Sequence, residues 1–297
     1  MTWRERRDRI APHLVIWPPI LVSCCYVLGF SAWTVWVSFT RSTLMPDYAW
    51  AGWRNYSAML ASRNWQIAYT NLLIYGTLFV VLTIALGLLL AVLIDQHIRA
   101  ENIYRAIFLY PLAVSFVVTG TVWGWLLNPT IGVQKLMHDL GWASFRFEWL
   151  IDRDMAIYTV VIAGVWQASG FAMALLLAGL RSVDGDLLKA AQIDGAGRVR
   201  TYLRVVFPTI GPIFVAVLVV LLQFAIKTYD LVVALTAGGP GLASTLPTVV
   251  VYDFMFQRGE LARGSAAAVM LLGSLAFVLV PYALYQRRKR RKAGAHA

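Results

Sequence analysis

Eight polar residues stand within or beside long apolar stretches: Asn71, Tyr75, Gln167, Ser169, Gln223, Lys227, Tyr229 and Asp230. Polar groups are costly in hydrocarbon, so such residues mark either a solute path or bonds between helices. Their types supply hydrogen-bond donors, acceptors and aromatic faces, which is what recognition of a polar solute requires. Lys227 and Asp230 are three positions apart, close enough on one helix to form an ion pair. Taken singly, each of the eight is better accounted for by an interhelical hydrogen bond or a packed pair than by contact with solute.

Other chemistries find little support. His13, His97, His138 and His296 show no metal-ligand spacing, and Cys24 and Cys25 are adjacent and the only cysteines, too few for a disulfide framework or a metal site. No Gly-x-Ser-x-Gly, no paired carboxylates within an apolar stretch and no Gly-x-x-x-x-Gly-Lys-Ser/Thr phosphate loop is present. The residues therefore predict no catalytic site and no metal site, and any ATP hydrolysis that serves this chain must come from another polypeptide.

The elements that position these residues follow from hydropathy. Apolar residues make up 59% and charged residues 14% of the 297, against about 45–50% and about 25% in soluble domains, and mean hydropathy is +0.65. Six stretches free of Asp, Glu, Lys and Arg, at 14–40, 66–94, 106–134, 155–180, 205–226 and 264–286, each reach the roughly 20 residues needed to cross a bilayer as a helix. Lipid leaves no backbone polar group unpaired, and continuous apolarity without period-two alternation selects helices over barrel strands. The expected fold is an all-α membrane protein with about six spans in a single domain, 1–297. The first stretch follows basic residues as a signal peptide would, but it is too long and lacks an Ala-x-Ala site, so it is expected to be a retained helix. Cys24 and Cys25 then face lipid or pack within it.

The net charge of +11 reports topology once it is mapped onto the loops. With six spans, both ends and two loops share one side, and that side carries 17 of the 26 Lys and Arg: the clusters at 4–9, 99–105, 181–204 and 287–292. The positive-inside rule puts both termini in the cytoplasm. The terminal basic runs are expected to meet anionic lipid rather than nucleic acid. The outward loops are then 41–65, 135–154 and about 230–263, where Trp50, Trp53, Tyr56, Trp65, Trp142 and Trp149 suit the headgroup layer. Gly120 and Gly124 form a small-xxx-small pair that admits a neighbouring helix closely, and Pro111, Pro208 and Pro212 are expected near helix starts, where a missing N–H costs least.

The long inward loop, about 182–207, carries helix signals instead of linker composition. Asp184 or Asp186 can cap a short helix. Leu187, Leu188, Ala190 and Ala191 give it an apolar face, and Asp194-Gly195 is a turn dipeptide. A partly apolar helix projecting from the membrane is expected to dock in something.

In this loop Lys189-Ala190-Ala191, then Gly195, then Val205-Val206-Phe207-Pro208 resembles the Glu-Ala-Ala loop of binding-protein-dependent ABC importer permeases. Ser38-Phe39-Thr40, Trp50-Ala-Gly-Trp-Arg-Asn55-Tyr56, Thr70-Asn71 and Leu235-Thr-Ala-Gly-Gly-Pro240 resemble the carbohydrate branch, so the likeness covers nearly the whole chain. Leu127-Asn128-Pro129 and Trp166-Gln167-Ala168-Ser169-Gly170 are most similar to glucose/mannose-type permeases.

The resemblance implies a type I importer permease fold in the inner membrane. It also implies a second homologous permease subunit, two ATPase subunits that hold ATP and magnesium, and an extracytoplasmic sugar-binding protein, with no cofactor bound by this chain. Leu188, Lys189, Ala190, Ala191, Asp194, Gly195 and Pro208 would belong to the loop seated in the ATPase. Docking is expected through Leu188, Ala190 and Ala191. Lys189 departs from the family pattern, which has Glu there, so an ion pair made by that Glu is absent or reversed. Three alternatives stay open: an ion-coupled secondary carrier, a permease of the same kind for a non-sugar solute, and an intramembrane lipid-modifying enzyme.

Overall fold

The computed structural model describes residues 3–96 and 98–294. The helices are α1 Trp3–Ser38, α2 Arg54–Ala61, α3 Arg63–Ile94, α4 Glu101–Ala113, α5 Phe116–Leu127, α6 Val133–Asp139, α7 Ala156–Arg181, α8 Gly185–Ile193, α9 Arg198–Thr201, α10 Phe207–Thr209, α11 Gly211–Lys227, α12 Asp230–Thr236, α13 Pro247–Tyr252 and α14 Leu261–Gly294, with π-helical turns at Tyr202–Val206 and Asp253–Gln257. Among the described residues the only extended pairing is one bridge between Thr40 and Trp50. His97 and His296 lie outside the described residues, as do the side chains of His13 and of the basic clusters 4–9 and 287–292 on which the inward placement of both ends rests.

Four apolar segments cross-membrane in length are single helices, Ile16–Ser38, Arg63–Ile94, Ala156–Arg181 and Leu261–Pro281. The stretches at 106–134 and 205–226, each expected as a span, are bent helix pairs, by 98° between α4 and α5 and by 68° between the Arg198–Thr209 run and α11, and count as spans when each pair is taken as one. The causes are local. Val114 and Ser115 are extended, and Ser115 Oγ accepts from Val117 N at 3.3 Å, so a new helix is capped where the old one ends. Pro111 therefore sits in the last turn of α4, not near a helix start as expected. Ile210 lies outside helical geometry between Pro208 and Pro212, each near the start of its own helix and each lacking a donor.

Contacts divide the chain into two compact units. One comprises the residues up to Ser62 together with Val251–Gly273. Here Asn55 Nδ2 donates to the carbonyls of Ser38 and Thr40, both at 2.8 Å, satisfying orphan acceptors at the end of α1. The Ser38 and Tyr56 hydroxyls are 2.6 Å apart, and Phe39 stacks on Trp50 with ring centroids 5.2 Å apart. The Ser38-Phe39-Thr40 and Trp50–Tyr56 motifs thus grip each other. Between Ile16 and Trp36 most side chains of α1 are exposed, Cys24 and Cys25 included, as a lipid-facing helix requires.

The other unit holds Arg63–Val250 and the residues from Ser274 onward. Its centre is α7, which packs on α3, α4 and α11. Small side chains at Ala163, Ala168 and Ala172 alternate with buried Met173, Leu176 and Leu177, allowing the close approach that drives helix association in lipid. On α5 a Cβ at Gly120 would lie 2.7 Å from Ala234 Cβ and 2.9 Å from the Leu231 carbonyl. The small-xxx-small pair therefore seats α12. Trp65, expected in the headgroup layer, is 3% exposed and belongs to the protein interior.

Candidate functional site

The segment 182–207 begins where α7 ends. Asp184, not Asp186, is the cap of α8: its side chain accepts from Asp186 N at 2.9 Å. At the far end Gly195 has φ +73°, Ala196 N donates to the Ala191 carbonyl at 3.0 Å and Gly195 N to Gln192 at 3.0 Å. This is a Schellman closure, which needs a residue in the left-handed region and so selects glycine. Asp194 is the residue just before the turn. The chain then re-enters helix at α9, passes through the π-helical turn and meets Pro208 in α10.

Burial sorts the apolar residues of α8. Ala191 is buried and Leu188 half-buried, both turned toward the rest of their unit, whereas Leu187, Ala190 and Ile193 are exposed. Those three recur every third residue and share one face. Val199 and Leu203 add further exposed apolar surface. Lys189 Nζ pairs with Asp186 at 3.0 Å within its own helix, both side chains largely exposed, so its charge is answered locally.

Behind α8 lies a cavity of about 310 Å³, bounded by Asp95, Gln96, Leu188, Gln192, Arg198 and Tyr202 among others. A polar cluster ties the segment to three membrane helices. The Tyr202 hydroxyl donates to Asp95 Oδ2 at 2.8 Å and accepts from Gln96 Nε2 at 3.3 Å. Arg181 lies 3.8 Å from Asp95 and 2.8 Å from Glu101, which Arg105 also approaches at 3.5 Å. Asp95 follows the last residue of α3, Glu101 opens α4, Arg181 closes α7 and Tyr202 follows α9, so one cluster fastens four elements. None of Asp95, Glu101 or Tyr202 stood out in the sequence. The signal for Asp95 and Glu101 was that carboxylates occur beside the arginines at 99 and 105.

The polar residues of the spans fall into two groups. Asn71 Nδ2 donates to the carbonyls of Leu242 and Thr245 at 3.1 and 3.0 Å, holding the glycine-rich segment after α12. The Tyr75 hydroxyl is 3.2 Å from Thr228 Oγ1, at the break between α11 and α12. Gln167 Nε2 donates to the Val114 carbonyl at 2.7 Å, satisfying an acceptor freed by the α4–α5 bend, while its Oε1 is buried without a partner among the described residues. Ser169 bonds back to the Trp166 carbonyl at 3.2 Å. Asn71, Tyr75 and Gln167 brace the bundle from within, whereas the Ser169 bond stays inside α7.

Gln223 is half-buried and Lys227 and Asp230 are exposed, and none of the three makes a side-chain hydrogen bond or ion pair among the described residues. Tyr229 is half-buried beside them. The expected Lys227–Asp230 pair does not form. Thr228 is extended and Tyr229 is non-helical, so the two residues are not one turn apart on a shared helix. A lysine and an aspartate are thereby left free at the junction of α11 and α12.

Comparison with known proteins agrees with this geometry. Residues 83–293 match the family described as binding-protein-dependent transport system inner membrane component. A probable ABC transporter permease protein of Pyrococcus horikoshii is 33% identical, covering 93% of this chain and 96% of its own length. The xylose/arabinose import permease protein XacH of Haloferax volcanii is 34% identical over 95% of this chain and 89% of its own. A solved bacterial ABC transporter involved in the import of the acidic polysaccharide alginate superposes with a TM-score of 0.80 at 19% identity, over 96% of this chain and 98% of that one. The fold is that of ABC importer permeases, and the chain belongs to the family of binding-protein-dependent transport system inner membrane components, as a multi-pass transport subunit.

Proposed function

We propose that this chain is a pore-forming permease subunit of an ATP-driven sugar importer, one membrane domain over 1–297 with both termini in the cytoplasm. The observation that carries this reading is the α8–Gly195 elbow. A helix capped at one end, closed by a Schellman turn at the other and presenting Leu187, Ala190 and Ile193 outward is a rigid handle with an unburied apolar face. A floppy linker would transmit little, whereas this elbow passes force through Tyr202 and Asp95 into α3. Alternating access needs such rigid-body rocking around a central path.

The motor is a separate pair of ATPase subunits that carry ATP and magnesium; this chain binds no cofactor. A second, homologous permease completes the pore, and an extracytoplasmic sugar-binding protein delivers solute to the outward loops. Gln223, Lys227, Tyr229 and Asp230 line the solute path, with Asn71, Tyr75 and Gln167 supporting its wall. The names of the xylose/arabinose relative and of the trehalose/maltose transport system permease MalF of Thermococcus litoralis, 29% identical, favour a sugar. The motifs around Asn128 and Gln167 favour one of the glucose or mannose kind.

Copurification with the ATPase, second permease and binding protein, followed by ATP hydrolysis in liposomes, tests the reading. Sugar-loaded binding protein should stimulate hydrolysis. Uptake by the purified chain alone, without nucleotide, would instead establish a secondary carrier.

A further inference from the structure

Within the first unit, the loop after α1 and the residues before and at the start of α14 enclose a cavity of about 430 Å³ that includes Arg41, Ser42, Arg54, Asn55, Glu260 and Arg263 in its lining. The walls are fixed. Ser42 and Asn55 are buried, Asn55 is held by its two bonds to the end of α1, and Ala262 N donates to the Ser42 carbonyl at 2.9 Å. Three guanidiniums face one carboxylate. Arg263 pairs with Glu260, while Arg41 and Arg54 make no ion pair or side-chain hydrogen bond among the described residues. Two unpaired cations beside a cavity are an electrostatic vacancy for an anion, and the planar guanidinium fork suits a carboxylate bidentately.

We infer that this pocket receives an acidic side chain of the extracytoplasmic binding protein and so fixes where that protein docks. The inference rests on the proposed importer function, in which the end of α1 and the start of α14 both face outward. The excess positive charge selects a complementary acidic surface, and such rim charges act on encounter and register more than on the closed complex. None of the residues invoked lies on the coupling segment or the solute path.

The test uses the assembled complex in liposomes, with ATP hydrolysis titrated against the solute-loaded binding protein that copurifies with it. The paired variants are Arg41→Glu with Arg54→Glu and, as a milder change that preserves size, Arg41→Gln with Arg54→Gln. Arg146→Gln, on another outward loop, is the control, and copurified subunits report assembly. The half-saturating concentration of binding protein should rise about tenfold in the Glu pair and less in the Gln pair, with the maximal rate unchanged. Raising salt should weaken wild-type docking more than docking of the Gln pair. Unchanged half-saturation in both pairs overturns the inference. So does unchanged half-saturation with a lowered maximal rate of uptake, which would mean that the pocket meets the solute itself. If the wild-type complex is not stimulated at all, the importer reading fails first and takes this inference with it.

Discussion

The Tyr202 hydroxyl donates to Asp95 Oδ2 at 2.8 Å across 107 positions of sequence. Through that bond the segment after α8 grips the C-terminal end of α3, and Arg181 and Glu101 extend the grip to α7 and α4. One polar cluster thereby fastens that segment to α3, α4 and α7.

Tyr202→Phe keeps the ring and removes the donor. Hydrogen bonds to charged groups contribute about 1.5–3 kcal/mol, and partial exposure at this site places the loss near the lower end. The complex should still assemble, while solute imported per ATP hydrolysed falls severalfold. Parallel measurement of uptake and hydrolysis in liposomes checks this, and an unchanged ratio would remove Tyr202 from the coupling path.

Gly195→Val places a β-branched residue at φ +73°, a conformation that costs an L-residue about 1–2 kcal/mol. The closure of α8 should loosen, making the 182–207 segment more sensitive to limited proteolysis and lowering stimulated hydrolysis. Equal proteolysis of variant and wild type would mean that the elbow does not depend on this turn.

Gln167→Leu removes the donor to the Val114 carbonyl. Interhelical hydrogen bonds in membranes average about 0.6 kcal/mol, with a maximum of about 1.7, and the bend leaves that carbonyl without its helical partner. Thermal melting in detergent should show a loss within this range. A variant as stable as wild type would show that another donor replaces Gln167.

Asp230→Ala and Tyr75→Phe should separate path from brace. Asp230 is unpaired and exposed, so its removal should lower uptake while leaving the complex intact. Tyr75 is 1% exposed and bonded to Thr228, so its change should cost about 1 kcal/mol of stability and alter uptake less. Radiolabelled sugar uptake beside melting curves distinguishes the two. Wild-type uptake by Asp230→Ala would dismiss it as a path residue.

Local signals were legible and tertiary ones were not. The acidic cap of α8 and the glycine turn at 195 follow from neighbours within a few residues, and the apolar stretches follow from hydropathy alone. Hydropathy carries no direction, however, so it could not show that the third and fifth stretches bend at Ser115 and Ile210. Helical spacing suggested a Lys227–Asp230 pair because nothing nearby announces the break at Thr228. Arg181 and Tyr202 lie 80 and 107 positions from Glu101 and Asp95 and meet them only when α3, α4 and α7 pack. Composition likewise sent Trp65 to the headgroups, although its ring is buried. The apolar face of α8 was readable in kind but rotated: Ala191 and Leu188 turn inward, and Leu187 and Ile193 take the outer positions.

Whether α8 is the handle of a separate motor is tested most directly by site-specific crosslinking in the assembled complex. With Cys24→Ser and Cys25→Ser as background, Ala190→Cys and Ile193→Cys should each crosslink to an ATPase subunit, while Ala191→Cys, 8% exposed, should not. Absence of any crosslink from positions 190 and 193, or labelling of these positions from outside the cell, would contradict a coupling role for this helix.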